Sequence, residues 1–207
     1  MKKIVVLCIA LLLSGVAWSQ DIGSNQGQIK TLVGNTSHFG FYGGLSFQAS
    51  KLKNENIMMG GVKFAALINR TLGIGFEGYG IIPHSSSTNY LTGQDVIPLG
   101  GYGGLMLEPI LFSNKAVHFT FPVSAGAGWL GYHEDWGNEF NNSSDLIEGD
   151  VFWYVQPGAN VEFNISRAFR INLGINRRFV QDLDLPETTN DDFSKMGYYM
   201  TLKFGRF

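Results

Sequence analysis

A chain of 207 residues, with 15 Lys and Arg against 17 Asp and Glu, is long enough for one domain and nearly balanced in charge. That balance points to neither nucleic acid nor an anionic surface as the main partner. The lone cysteine, Cys8, lies in the first apolar run, which excludes disulfides, thiolate zinc sites and cysteine catalysis from the rest of the chain.

The chain opens "MKKIVVLCIALLLSGVAWSQ": two lysines, an apolar run, then Ala17-Trp18-Ser19 as a small-x-small cleavage site before Gln20. Residues 1–19 therefore read as a secretory signal, and 20–37 as a short periplasmic N-terminal segment. The alternative, an uncleaved anchor, needs about 20 apolar residues, more than this run offers. Cys8 is too early, and wrongly flanked, for lipid attachment. No later segment is apolar for long enough to be a membrane-spanning helix.

From residue 38 onward helical periodicity gives way to period-2 alternation. Eight stretches carry it, near 38–49, 57–68, 72–82, 97–108, 116–130, 150–163, 169–179 and 196–206. Most have the length of a tilted membrane strand, about 9–11 residues plus rims. Loops alternate short and long, as in barrels with tight periplasmic turns and long external loops. The 27 glycines are about twice the usual ~7% share and follow no collagen period. One parity is bulky and apolar, for example Phe39, Phe41, Leu45 and Phe47, or Leu72, Ile74 and Phe76. The other is rich in glycine and tyrosine and poor in charge, whereas a water-facing surface wants roughly a quarter to a third charged residues. An eight-strand lumen is just wide enough for side chains to fill. The expected fold is thus an eight-stranded antiparallel up-and-down transmembrane β-barrel over 38–207, apolar outside and polar inside.

Folding 57–68 onto 72–82 about Asn69-Arg70-Thr71 sets Lys63 opposite Glu77. The same exercise sets Glu162 opposite Arg170, and centring the middle hairpin on Ser113 sets Glu108 opposite His118. Opposed residues have Cβ atoms about 4.5–5.5 Å apart, close enough for ion pairs. With Arg178 and Lys203 these six form an expected lumen network, joined by Gln156, Asn160, Asn172 and the inward tyrosines Tyr42, Tyr79, Tyr102, Tyr154 and Tyr199. A gate or proton path is the functional reading of this set; an internal filling of ion pairs is the plainer one. Pro122 and Pro157 fall inside strands and predict local bulges. Arg177, next to Phe179 and across from Trp153, reads as a membrane-interface position.

The loops "HEDWGNEFNNSSDLIEGD" and "QDLDLPETTNDD" carry eleven of the 17 acids. Glu134, Asp135, Asp182, Asp184, Asp191 and Asp192 offer oxygen ligands for a weak divalent-ion site, but the spacing and turn glycine of an EF-hand are missing. Solvated loops are the alternative. His84 before Ser85-Ser86-Ser87, and His133 before Glu134-Asp135, are the remaining catalytic candidates. No nucleophile elbow or HExxH motif supports them, so no enzyme is expected, and no cofactor.

"GFYGGLSF", "KFAALINRTLGIGFEGYG", "LGGYGGLMLEP", "VQPGANVEFNISRAFRINLGINRRF" and the terminal "MTLKFGRF" together resemble small outer-membrane β-barrel proteins of Bacteroidetes-type bacteria, in the broad OmpA/OmpX/OmpW-like class. The resemblance covers roughly residues 38–207. It implies residence in the outer membrane of a Gram-negative bacterium, contact with outer-membrane lipid, and Phe207 as a signal read by the barrel-insertion machinery. Phe204 and Leu202, however, fall on the opposite parity from Phe207. The expected role is a filled, monomeric barrel of structural or surface-interaction function, not an open pore. Uptake of a small apolar molecule through a lateral opening is the alternative, and a secreted soluble barrel a third.

Overall fold

Phe39–Leu52 (β1) alternates exposed and buried residues along its whole length, and every long strand repeats that pattern. The computed structural model describes residues 38–83, 88–91, 94–134, 146–186 and 188–207. After β1 come Glu55–Ile68 (β2), Leu72–Ile82 (β3), Thr88–Leu91 (β4), Gln94–Leu111 (β5), Val117–Thr120 (β6), Val123–Glu134 (β7) and Leu146–Asn164 (β8). Phe169–Arg177 (β9), Phe179–Gln181 (β10), the helical turn Asn190–Phe193 (α1) and Met196–Arg206 (β11) complete the chain.

All pairings are antiparallel, and β11 pairs β1, which closes the sheet on itself. β6 and β7 keep one register against β5 and β8 and so form a single wall strand, as β9 and β10 do against β8. The ring therefore has eight staves. Starting from Phe41, successive partners are Ala66, Ile74, Leu107, Val123 and Pro157. On the far side Arg177 faces Met196, and Tyr198 faces Ala49. The path re-enters β1 about ten residues beyond its start, a stagger of about 34 Å around a girth of about 38 Å. That ratio tilts the strands by about 40°, inside the usual 35–45° range.

Turn chemistry fixes the β2–β3 hairpin. Asn69 and Arg70 both have positive φ, 52° and 59°, and Thr71 N–H closes the turn onto the Ile68 carbonyl at 3.1 Å. With Thr71 these two positive-φ residues make a three-residue loop, so that Ile68 and Leu72 face each other. Lys63 consequently lies opposite Glu77, and Phe64 opposite Phe76. β1 and β2 turn over the two residues Lys53 and Asn54, tighter than the expected 50–56 loop.

Two registers differ from expectation. In the middle hairpin Ile110 faces Thr120 and Leu111 faces Phe119, so Glu108 is not opposite His118. The strand runs on through Pro109, and Phe112 turns at φ 59°, which moves the hairpin centre towards Lys115. Asn164, not Glu162, is opposite Arg170, and Glu162 faces Asn172. Both shifts are even-numbered, so every residue keeps its face.

The prolines do not create bulges. The registers against β5 and β8 are the same before and after Pro122, and Val123 faces Pro157 directly. Instead each proline drops its own donor while its carbonyl or neighbour keeps the ladder. Phe121 N–H donates to the Pro109 carbonyl at 3.0 Å and Gly158 N–H to the Pro122 carbonyl at 2.7 Å. Among the described residues, register shifts occur only at Thr88/Leu91 and Tyr132/His133.

Candidate functional site

Inward parity places Glu77, Glu108 and Glu162 inside the ring with Lys63, His118, Arg170, Arg178 and Lys203, all buried. Outward parity leaves Phe39, Phe41, Phe64, Phe76, Leu105 and Phe204 at 46–76% exposure. Polarity is thus inverted relative to a soluble protein, in which large apolar patches are covered and charges are wetted.

The lumen is filled in layers. At the short-turn end Tyr42, Ala65, Leu67, Met106 and Ile110 form an apolar cluster, with Phe207 packed against it. Above it lies the first ionic group. Lys203 Nζ bridges Glu108 Oε1 at 2.8 Å and Glu162 Oε2 at 2.6 Å. Glu162 Oε1 also receives Arg170 and meets His118 Nε2, each at 3.0 Å, and Asn172 donates to Oε2 at 3.2 Å. Glu108 further accepts from Tyr42 at 2.5 Å and Thr120 at 3.0 Å. His118, although not opposite Glu108, is directly opposite Glu162.

A second group centres on Glu77. Lys63 is 2.8 Å away, while Ser124 and Gln156 donate to the other oxygen at 2.6 and 3.3 Å. Lys63 also lies 4.5 Å from the Tyr199 ring centre. Tyr199 donates to Asn160, and Asn160 to Thr120 at 2.8 Å, which links the two ionic groups. Linked networks of this kind rigidify an interior; within this one His118 Nδ1 and Asn172 Oδ1 are buried without a hydrogen-bond partner.

Towards the long-loop end charge gives way to aromatics. Tyr79, Tyr102, Phe152, Tyr154 and Phe193 belong to one buried cluster with Leu52, Met59 and Leu130. Phe193 arrives from α1, and its ring packs edge-on against Phe152 at 5.3 Å. Arg178 is fully buried here, and among the described residues no carboxylate pairs with it. Its Nε donates to the Phe193 carbonyl at 3.0 Å, and its guanidinium lies 3.6 Å from the Phe193 ring centre and 4.8 Å from that of Tyr102. Cation–π contact takes the place of an ion pair.

α1 is held over this end. Thr189 N–H and Oγ1 both donate to Asp192 Oδ2 at 2.8 Å, and Lys53 N–H donates to the Asp192 carbonyl at 2.8 Å. Partial burial pushes the Asp192 carboxyl up, but the two Thr189 hydrogen bonds, with Lys195 and Lys53, bring it below its ordinary value.

Of the acids weighed for a divalent ion, Asp182, Asp184 and Asp191 are exposed, and Asp192 is engaged by Thr189. Among the described residues no three His, Cys, Asp or Glu gather around one point. Glu134 ends β7. Asp135, His84, Ser85-Ser86-Ser87 and the whole of 1–37, with its expected signal and N-terminal segment, lie outside the described residues. Trp153 is 60% exposed and faces Gln181, not Arg177 as expected, because the β8 register is displaced. Arg177 is exposed and stands 5.5 Å over the Phe179 ring. Phe207 turns inward, stacking on Tyr42 at 6.1 Å under the Arg170 guanidinium at 3.7 Å. Sequence reasoning had not singled out Thr120, Ser124 or Phe193. The first two share the inward parity and were findable; Phe193 lies in a loop with no strand period.

Closed ring, stagger, inverted polarity and filled lumen together define the fold of the small outer-membrane β-barrels. Among solved structures, Ail, the attachment invasion locus protein of Yersinia pestis, in complex with the heparin analogue sucrose octasulfate, is similar at TM-score 0.50 and 15% identity, over 83% of this chain and 99% of that one. Neisserial surface protein A is similar at TM-score 0.52 and 9% identity, over 80% and 96%. The N-terminal β-barrel domain of Pseudomonas aeruginosa OprF is similar at TM-score 0.50 and 8% identity, over 82% and 99%. No protein-family model and no curated protein matches the chain.

Proposed function

We propose that this chain is an integral outer-membrane protein of a Gram-negative bacterium, exported through a cleaved signal at residues 1–19. Its barrel acts as a solid post that carries external loops, in a structural or surface-interaction role. It is neither a pore nor an enzyme. The observation that carries this reading is the inverted polarity: a stripe of Phe, Leu, Val and Ile faces outward while Glu77, Glu108 and Glu162 are enclosed with their cations. Hydrocarbon is the solvent in which such a surface is stable. Apolar plugs at both ends and ion pairs between them leave an eight-strand lumen no water column. The protein is expected as a monomer, folded by the insertion machinery with Phe207 as part of its signal. Uptake through a lateral opening has less support, since the ladder holds across Pro122 and β11 closes on β1.

Envelope fractionation and planar-bilayer recording test this together. The protein should be found only in detergent-extracted outer membrane, and the purified protein should give no steady conductance steps. Recovery from the soluble periplasm would refute the membrane reading; large stable steps would refute the filled post.

A further inference from the structure

The near-neutral total conceals a sharp separation of charge along the barrel. The short turns and the end of β11, residues 68–72, 111–117, 164–169 and 204–207, contain Arg70, Lys115, Arg167 and Arg206 and no Asp or Glu. All four cations are exposed. Acids are concentrated at the opposite end. Among the described residues, the exposed charged side chains of this interface are therefore cationic.

Beside two of these cations the outer wall is not smooth. A shallow, largely open cleft of about 500 Å³ lies on the lipid-facing side of β11, β1, β2 and β3. Its floor is small, Gly43 and Ala66, and its walls are Phe41, Phe64, Phe76 and Phe204. The registers place these in two rows: Arg206, Phe41, Ala66 and Ile74 in one, and Phe204, Gly43, Phe64 and Phe76 in the next. Arg206 thus borders the cleft on its β11 side. Arg70 sits in the turn that joins the two strands forming the opposite wall.

We propose that this cleft is a binding site for one anionic glycerophospholipid, with an acyl chain between the phenylalanines and the phosphate on Arg206 and Arg70. The inference rests on the membrane reading above. Apolar walls opening to hydrocarbon select a chain, and guanidinium groups at the rim select phosphate, with which they make paired hydrogen bonds. Each basic residue near an anionic headgroup strengthens binding about fivefold.

The test is native mass spectrometry of the purified full chain in detergent, titrated with dioleoylphosphatidylglycerol or dioleoylphosphatidylcholine. Expected is one retained phosphatidylglycerol and no retained phosphatidylcholine. Arg70→Asn with Arg206→Gln, which keeps a residue suited to positive φ in the turn, should weaken retention about 25-fold. Ala66→Trp, which fills the cleft without altering charge, should abolish it, whereas Lys115→Gln with Arg167→Gln should leave it within about twofold. Equal retention of both lipids, an unaffected Ala66→Trp protein, or an equal loss in the Lys115/Arg167 variant would overturn the site. A chain that stays monodisperse without detergent overturns the membrane reading, and this one with it.

Discussion

Glu77→Gln isolates the energetics of the lumen. The substitution keeps the shape and an acceptor for Ser124 and Gln156, but removes the charge that Lys63 meets at 2.8 Å. Lys63 and Glu77 side chains are only 4% and 2% exposed, so little water is available to replace the lost partner. What remains for Lys63 is the Tyr199 ring at 4.5 Å and that of Tyr79 at 5.8 Å. Breaking a buried pair on one side costs about 3–5 kcal/mol, whereas removing both charges is often close to neutral. Urea unfolding from lipid vesicles, followed by tryptophan fluorescence and gel mobility, measures this. At about 1–3 kcal/mol per molar of urea, the midpoint of Glu77→Gln should fall by at least about 1 M. Lys63→Met combined with Glu77→Gln should regain most of that loss. A single variant within about 0.5 kcal/mol of the parent would refute the claim that this pair is dry and coupled.

The outer face, the glycine contacts and the loop give three further tests. Phe76→Arg, at a position 58% exposed, should destabilise the barrel in vesicles by about 2–4 kcal/mol if it lies near the bilayer midplane, while Phe76→Leu should be nearly silent. A Cβ on Gly104 would stand 2.1 Å from the Ala125 carbonyl oxygen, so Gly104→Val should cost at least about 1–3 kcal/mol and lower the heat-modifiable fraction on gels. Asp192 has a lowered folded-state pKa, so its cap is complete above the ordinary value of 3.8 and is lost as pH falls through the lower folded value. Hydrogen exchange at the Thr189 amide should accelerate over that acid window, and Asp192→Ala should show the fast rate already at neutral pH.

Face and architecture were legible because period 2 is rigid: any even slip keeps Glu162 and Arg170 on the inside, and they still meet at 3.0 Å despite a displaced register. The β2–β3 register was readable outright, since the three-residue link Asn69-Arg70-Thr71 sets Ile68 opposite Leu72. The β5–β6 register was not, because Pro109 reads as a strand end and no pattern foretells Phe112 in a left-handed conformation. The aromatic cap was equally hidden. Phe193 reaches the lumen from an irregular loop, and the partner of Arg178 is a backbone carbonyl, which leaves no trace in side-chain spacing.

Lys203 belongs to the closing strand, yet it is the cation that joins Glu108 of β5 to Glu162 of β8. Until β11 zips against β1, those two acids share the interior without their common counter-ion, and an open intermediate carries that penalty. Assembly is thereby biased against lingering half-inserted forms. Locking of the seam gives Glu108 its cation and Glu162 a second one beside Arg170, so closure of the wall and completion of this ionic group become one event.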